Sequence, residues 1–246
     1  MVIFNSGGFE EGDLSGWTGN AVSAGCTIAA DHTLPHHGLH SAKCNIIADA
    51  GTKNAYVYAT VAAQTELYCR GYVYVDSHGL VDNDDRIYFI GFYNIATGAK
   101  LAGAGWYVTV GVLKWILLGR NAAAYTLTYG TTPVIQRWYC VELYWKKHGA
   151  AGIATLYVDG AQMCTVTGKD TDDYGDADRV RFGITEGIAL NADSQVYADC
   201  CIINTALIGT EPLKSGQPNN TMTTMLNSKM LFSFCNRFPK VLPRRF

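Results

Sequence analysis

Hydrophobic and polar residues alternate one for one along much of this chain, most cleanly over residues 136–160. Tyr139, Val141, Leu143 and Trp145 fall on one side of that run, and Trp138, Cys140, Glu142 and Tyr144 on the other. A period of two predicts a β-strand, because successive side chains leave opposite faces of the pleat. A second run, 153–158, ends in Asp159-Gly160, a dipeptide suited to the positive φ angles of a tight hairpin, and the chain returns through 162–167. The same alternation predicts strands over 20–30, 39–49, 55–61, 66–75, 86–94, 106–112, 114–118, 125–129, 179–185 and 195–203. Residues 31–38, 76–85 and 168–178 read as loops, and 96–105 as a Gly/Ala turn region. No amphipathic helical stretch of useful length precedes residue 210. Many short strands divided by turn signals predict an all-β protein, an antiparallel two-sheet β-sandwich of jelly-roll type over residues 1–210.

Residues 211–246 break the pattern. A polar Pro/Gly linker over 211–220 leads into a segment that mixes Met, Phe and Leu with Lys229, Arg237, Lys240, Arg244 and Arg245. Apolar side chains in such an arm need a surface to bury against, on their own domain or on a neighbouring subunit, so 211–246 is a candidate docking arm for self-assembly.

Composition narrows the function classes. The formal net charge of −2 over 246 residues supplies no global field for nucleic acid or an anionic membrane. No apolar run approaches the roughly 18–20 residues needed to span a bilayer. The first residues show neither a basic n-region nor an apolar h-region. The expected location is extracellular or on a virion surface, reached after removal of a leader or by lysis. Cys26, Cys44, Cys69, Cys140, Cys164, Cys200, Cys201 and Cys235 form no C-x-x-C pair, so the usual zinc-ligand spacing is absent. Most sit inside alternating runs, where buried thiols and disulfides are both open readings.

Candidate chemistry lies on the second face of several strands, with Tyr107 and Thr109 of 106–112 in the same arrangement as the two that follow. Tyr68, Arg70, Tyr72 and Tyr74 share one face of 66–75, and Trp138, Glu142 and Tyr144 one face of 138–145. Sugars bind such surfaces, laying apolar C–H faces on rings while a few charged groups fix hydroxyls. The competing reading is that these rings are covered by a loop or a neighbouring subunit. His32, His36, His37 and His40 lie in a loop with Pro35 and Gly38 and read as solvated loop histidines. No G-x-S-x-G, phosphate loop or nucleotide fingerprint is present.

Two groups of segments carry a resemblance. GGFEEGDLSGW followed by HHGLHSAKCNI resembles the opening of carbohydrate-binding jelly rolls, while WYCVELYW, TLYVDG, RVRFGI and VYADCCI are similar to the second half of the concanavalin A-like lectin/glucanase fold. Together they span about residues 5–209. The resemblance implies a sandwich with a curved, concave sheet that carries glycan. It also implies a structural Ca²⁺ tying the first loop to the last strand, through the carboxylates of Glu10 and Asp199 and carbonyls near Gly8 and Lys43. Oxygen ligands of that kind suit Ca²⁺. Where the family has a second Asp, Asp199 is here followed by Cys200. The E-x-D-x-x-E string of the glucanase branch and the R-x-E-x-R and Q-x-H strings of the alginate-lyase branch are missing. The sequence therefore leads to a non-catalytic, lectin-like carbohydrate-binding or adhesion domain. The contending class is a structural subunit of an extracellular or virion assembly using the same fold.

Overall fold

The computed structural model describes residues 2–5, 8–122 and 124–211. Among them the chain forms fifteen strands and no helix: β1 (Val2–Asn5), β2 (Gly19–Val22), β3 (Thr27–Asp31), β4 (Ser41–Ile46), β5 (Asp49–Gln64), β6 (Glu66–Ser77), β7 (Arg86–Tyr93), β8 (Lys100–Thr109), β9 (Val112–Arg120), β10 (Tyr125–Tyr129), β11 (Trp138–Lys146), β12 (Gly152–Val158), β13 (Ala161–Lys169), β14 (Ala177–Leu190) and β15 (Ser194–Asn204). The sequence expectation for 211–246 lies outside the described residues, apart from Glu211.

Two antiparallel sheets form a sandwich. The eight-stranded sheet runs β13-β12-β11-β6-β15-β4-β3, with β1 also paired to β15. The seven-stranded sheet runs β10-β9-β8-β7-β14-β5-β2. The alternation read from sequence sets which side chains meet between them. Leu67, Val73 and Val75 of β6 and Val141, Leu143 and Trp145 of β11 join Val57, Phe89, Trp106, Trp115 and Phe182 of the facing sheet in one buried core. Trp115 meets Tyr139 across the sandwich edge-on, ring centroids 5.1 Å apart, an arrangement aromatic pairs prefer. The Asp159-Gly160 hairpin forms as expected, with φ of 52° and 81° and Val158 opposite Ala161. The described cysteines form no disulfide with one another, and all but Cys200 are buried.

One expectation fails in an informative way. Residues 96–105 are not a turn region throughout, because Lys100–Thr109 is strand β8, central in its sheet. The small residues answer to packing. A Cβ on Gly105 would lie 1.9 Å from the Ile87 carbonyl oxygen, and one on Gly103 would lie 3.2 Å from the Tyr88 ring. Glycine is kept there for close approach, a use sequence reading confuses with turn punctuation.

Candidate functional site

The expected sugar face lies on the outer side of the eight-stranded sheet, and its centre is covered by the chain itself. Arg70 and Glu142 face one another across β6 and β11 and are each 3% exposed. The Glu142 carboxylate accepts hydrogen bonds from the backbone N–H groups of Ile208 (2.7 Å) and Gly209 (2.9 Å), and Arg70 donates to the Gly209 carbonyl (3.1 Å). Tyr72 is buried under His36, whose ring stacks on it with centroids 3.6 Å apart. Only the margins stay half-buried: Tyr68 stacked on Tyr144, and Trp138 beside Tyr74. Arg70, Tyr72 and Glu142 are therefore not offered to a partner in this structure. A buried charge needs a partner, and here backbone groups of residues 208 and 209 supply it.

The reading of His36 as a solvated loop residue is corrected as well. It is half-buried, and burial, with His37 and Arg70 nearby, holds its pKa down at about 3. His32 is exposed, as expected.

The outer face of the seven-stranded sheet, where the sequence singled out only Tyr107 and Thr109, is the richer one. Tyr88, Tyr107, Ile116 and Leu118 form a second buried apolar cluster, separate from the core. Around them, cations lie on tyrosine rings. The Lys100 ammonium sits 4.1 Å from the Tyr88 ring centroid and 6.0 Å from that of Tyr93. Arg181 lies 3.7 Å from the Tyr93 ring and 4.8 Å from Tyr56, and Arg179 4.5 Å from Tyr58. Towards the β10 edge, Arg120 packs on Tyr174 at 3.5 Å and on Tyr125 at 4.9 Å. Such contacts strengthen when desolvated. Lys100 forms an ion pair with Glu186, and both belong to the central strands of the sheet.

The electrostatics of this face follow from burial. Lys100 is 7% exposed; desolvation lowers its pKa from 10.5, Arg181 and Arg86 add to the shift, and Glu186 opposes it. The Tyr88 side chain is 1% exposed, and burial pushes its pKa up. Its hydroxyl meets no hydrogen-bond partner among the described residues. An unsatisfied buried hydroxyl costs about 1–3 kcal/mol.

A period of two hides this cluster. Tyr88 and Tyr93 are five residues apart, as are Arg181 and Glu186, and strict alternation would put each pair on opposite faces. Irregularities in β7 between Tyr88 and Ile90 and in β14 between Phe182 and Glu186 reset the parity. A bulge adds one residue to one strand and so turns the side chains that follow.

The expected calcium ligands converge in part. A Cβ on Gly8 would lie 2.9 Å from Asp199 Oδ1 and 3.5 Å from Glu10 Oε1, so both carboxylates reach Gly8. Asp199 is fully buried, and burial raises its pKa to about 6 even though the backbone N–H groups of His36, His37 and Cys200 donate to it. Glu10 accepts from Leu39 N at 2.7 Å. Lys43 pairs with Ala29 on one side and Tyr197 on the other, so its backbone lies between two sheet neighbours. The Glu10 and Asp199 carboxylates thus both lie beside Gly8, and the groups next to them are imidazole and thiol.

No family model matches the chain, and no curated protein matches its sequence. Solved structures do share its fold. An endo-beta-1,4-glucuronan lyase from the fungus Trichoderma reesei is similar with a TM-score of 0.60 at 14% identity, covering 79% of this chain and 93% of that one. The cellulose induced protein Cip1 is similar with a TM-score of 0.53 at 16% identity over 79% of this chain and 94% of its own. The binding domain of botulinum neurotoxin serotype C1 reaches 0.50 at 10% identity, over 79% of this chain but 46% of that one. These are likenesses of fold. They place the chain among β-sandwiches that include carbohydrate-related proteins.

Proposed function

We propose that the chain binds an acidic polysaccharide on the outer face of its seven-stranded sheet. The observation that carries this reading is the pair of half-buried guanidiniums, Arg179 and Arg181, each held on a tyrosine ring of that one face, with Lys100 buried beside them in its pair with Glu186. The half-buried ring of Tyr58 suits the C–H face of a pyranose unit, while the buried rings of Tyr56, Tyr88 and Tyr93 hold the cations from beneath. Arginine suits carboxylates because its planar fork donates two parallel hydrogen bonds. A neutral glycan would leave these cations desolvated without compensation, so a uronate polymer is the better match. The fold shared with a glucuronan lyase is consistent with that substrate class but does not carry it.

The test is affinity electrophoresis on gels containing glucuronan, alginate or an uncharged β-glucan. Retardation by the uronate polymers alone, weakening with salt and lost in Arg181→Ala, is expected. Retardation lost in Trp138→Ala and kept in Arg181→Ala would move the site to the eight-stranded sheet. Equal mobility on all gels would refute glycan binding.

A further inference from the structure

The corner where the first loop, the β3–β4 loop and β15 meet holds more than carboxylates. His36, His37 and Cys200 each bring one ligand atom to a point where all three lie within 4.8 Å of one another. His36 Nδ1 is 2.8 Å from His37 Nδ1, which in turn is 3.5 Å from Cys200 Sγ. A tetrahedral ion with bonds of about 2.0–2.1 Å to nitrogen and about 2.3 Å to sulfur separates its ligand atoms by roughly 3.3–3.6 Å. The observed spacings need only small side-chain rotations to meet that geometry.

The fold holds these three groups in place by other means. The backbone N–H groups of His36 and His37 both donate to Asp199 Oδ2, at 2.9 and 3.1 Å, and that of Cys200 donates to Asp199 Oδ1 at 2.7 Å. The His36 ring is fixed by its stack on Tyr72, and Ser41 Oγ anchors the loop through the Leu34 carbonyl at 2.9 Å. Cys200 occupies the left-handed region, φ 52°, at an irregularity between Asp199 and Ile202. That conformation is unusual for a residue other than Gly, Asn or Asp. It turns Cys200 towards the histidines while Cys201 enters the core.

From this geometry we infer that His36, His37 and Cys200 form a binding site for a zinc-class divalent ion, with a fourth position left for water or an Asp199 oxygen. Two imidazoles and a thiolate select a borderline-soft ion over calcium, which prefers oxygen. Binding moves one proton: the Cys200 thiol releases it and becomes the thiolate ligand. The imidazoles bind neutral. At 2.8 Å without an ion, one Nδ1 must donate to the other; with an ion, both lone pairs face the metal and the protons sit on Nε2. The ion would clamp the β3–β4 loop, and with it the cover over Tyr72, to strand β15. This site is separate from the cationic tyrosine face and does not rest on the glycan reading.

The experiment uses the full chain, reduced and stripped of metal, titrated with Co²⁺. A thiolate-to-cobalt charge-transfer band with the intense visible bands of tetrahedral cobalt is expected, bleached by Zn²⁺ and indifferent to excess Ca²⁺. Cys200→Ser should abolish the charge-transfer band. Loss of a direct ligand in His37→Ala should weaken Co²⁺ binding by roughly 100-fold or more, since even outer partners of a metal ligand are worth about 10–100-fold. His32→Ala should match the parent. Zn²⁺ should also raise the melting temperature of the parent and not of Cys200→Ser. Absence of the band, its survival in Cys200→Ser, or a melting temperature raised by Ca²⁺ and not by Zn²⁺ each overturns the proposal. The last result would assign the corner to the Glu10 and Asp199 oxygens instead. His37→Ala keeps the test valid should Cys200→Ser fail to fold.

Discussion

A buried hydroxyl with nothing to bond to is a cost a stable fold would normally avoid, and Tyr88 carries one on the face assigned to glycan. Replacing Tyr88 by Phe removes that cost with almost no change in shape. Urea unfolding should show Tyr88→Phe stabilised by about 1 kcal/mol, with retention on uronate gels unchanged because the hydroxyl is buried; a destabilised variant would mean that the hydroxyl is already satisfied. Lys100 gives a pH signature. Its pKa is lowered, so its charge disappears as pH rises through a value below 10.5, where an exposed lysine would still be charged. Retention should decline over that alkaline range in the parent and persist in Lys100→Arg, because a guanidinium does not deprotonate there. For stability the sign is opposite. Between the lowered value and 10.5 the unfolded chain binds more protons than the folded one, so the Lys100 contribution to stability rises with pH.

At the scale of elements, β8 shows how function and packing share one strand. Its glycines admit the Tyr88 ring and the Ile87 backbone, and its first residue supplies Lys100. Gly105→Ala should destabilise by about 3 kcal/mol, the upper end of the usual 1–3 kcal/mol for overpacking, because the obstruction is backbone and cannot rotate away. Denaturant midpoints check this; a loss under 1 kcal/mol would show that β7 and β8 can part. The central meander of β11, β12 and β13 was legible because Tyr139, Val141, Leu143 and Trp145 alternate without a break and Asp159-Gly160 closes the turn. The cationic face was not, because bulges in β7 and β14 shift parity between Tyr88 and Tyr93 and between Arg181 and Glu186. Alternation read along a strand cannot see an irregularity whose cause lies in a neighbouring strand.

For the whole molecule, the two sheets present outer faces of opposite fate. One is closed by the chain's own residues 205–210 and the β3–β4 loop; the other gathers tyrosines and cations. Glu142→Ala should cost about 1–3 kcal/mol, as leaving buried donors unsatisfied does, since it strands the N–H groups of Ile208 and Gly209. Thermal melting would reveal the loss. Retention on uronate gels, measured well below the melting temperature, should stay at the parent level if the two faces are independent. The amino-acid order by itself determined the all-β class, the meander and most of the core, because a two-residue period assigns every side chain to a face before any partner is chosen. Tertiary structure alone decided which face is covered, where bulges reverse the period, and that His36, His37 and Cys200, 163 positions apart along the chain at their nearest, meet at one point. Those outcomes depend on contacts between distant segments, and a local pattern carries no information about what will fold over it.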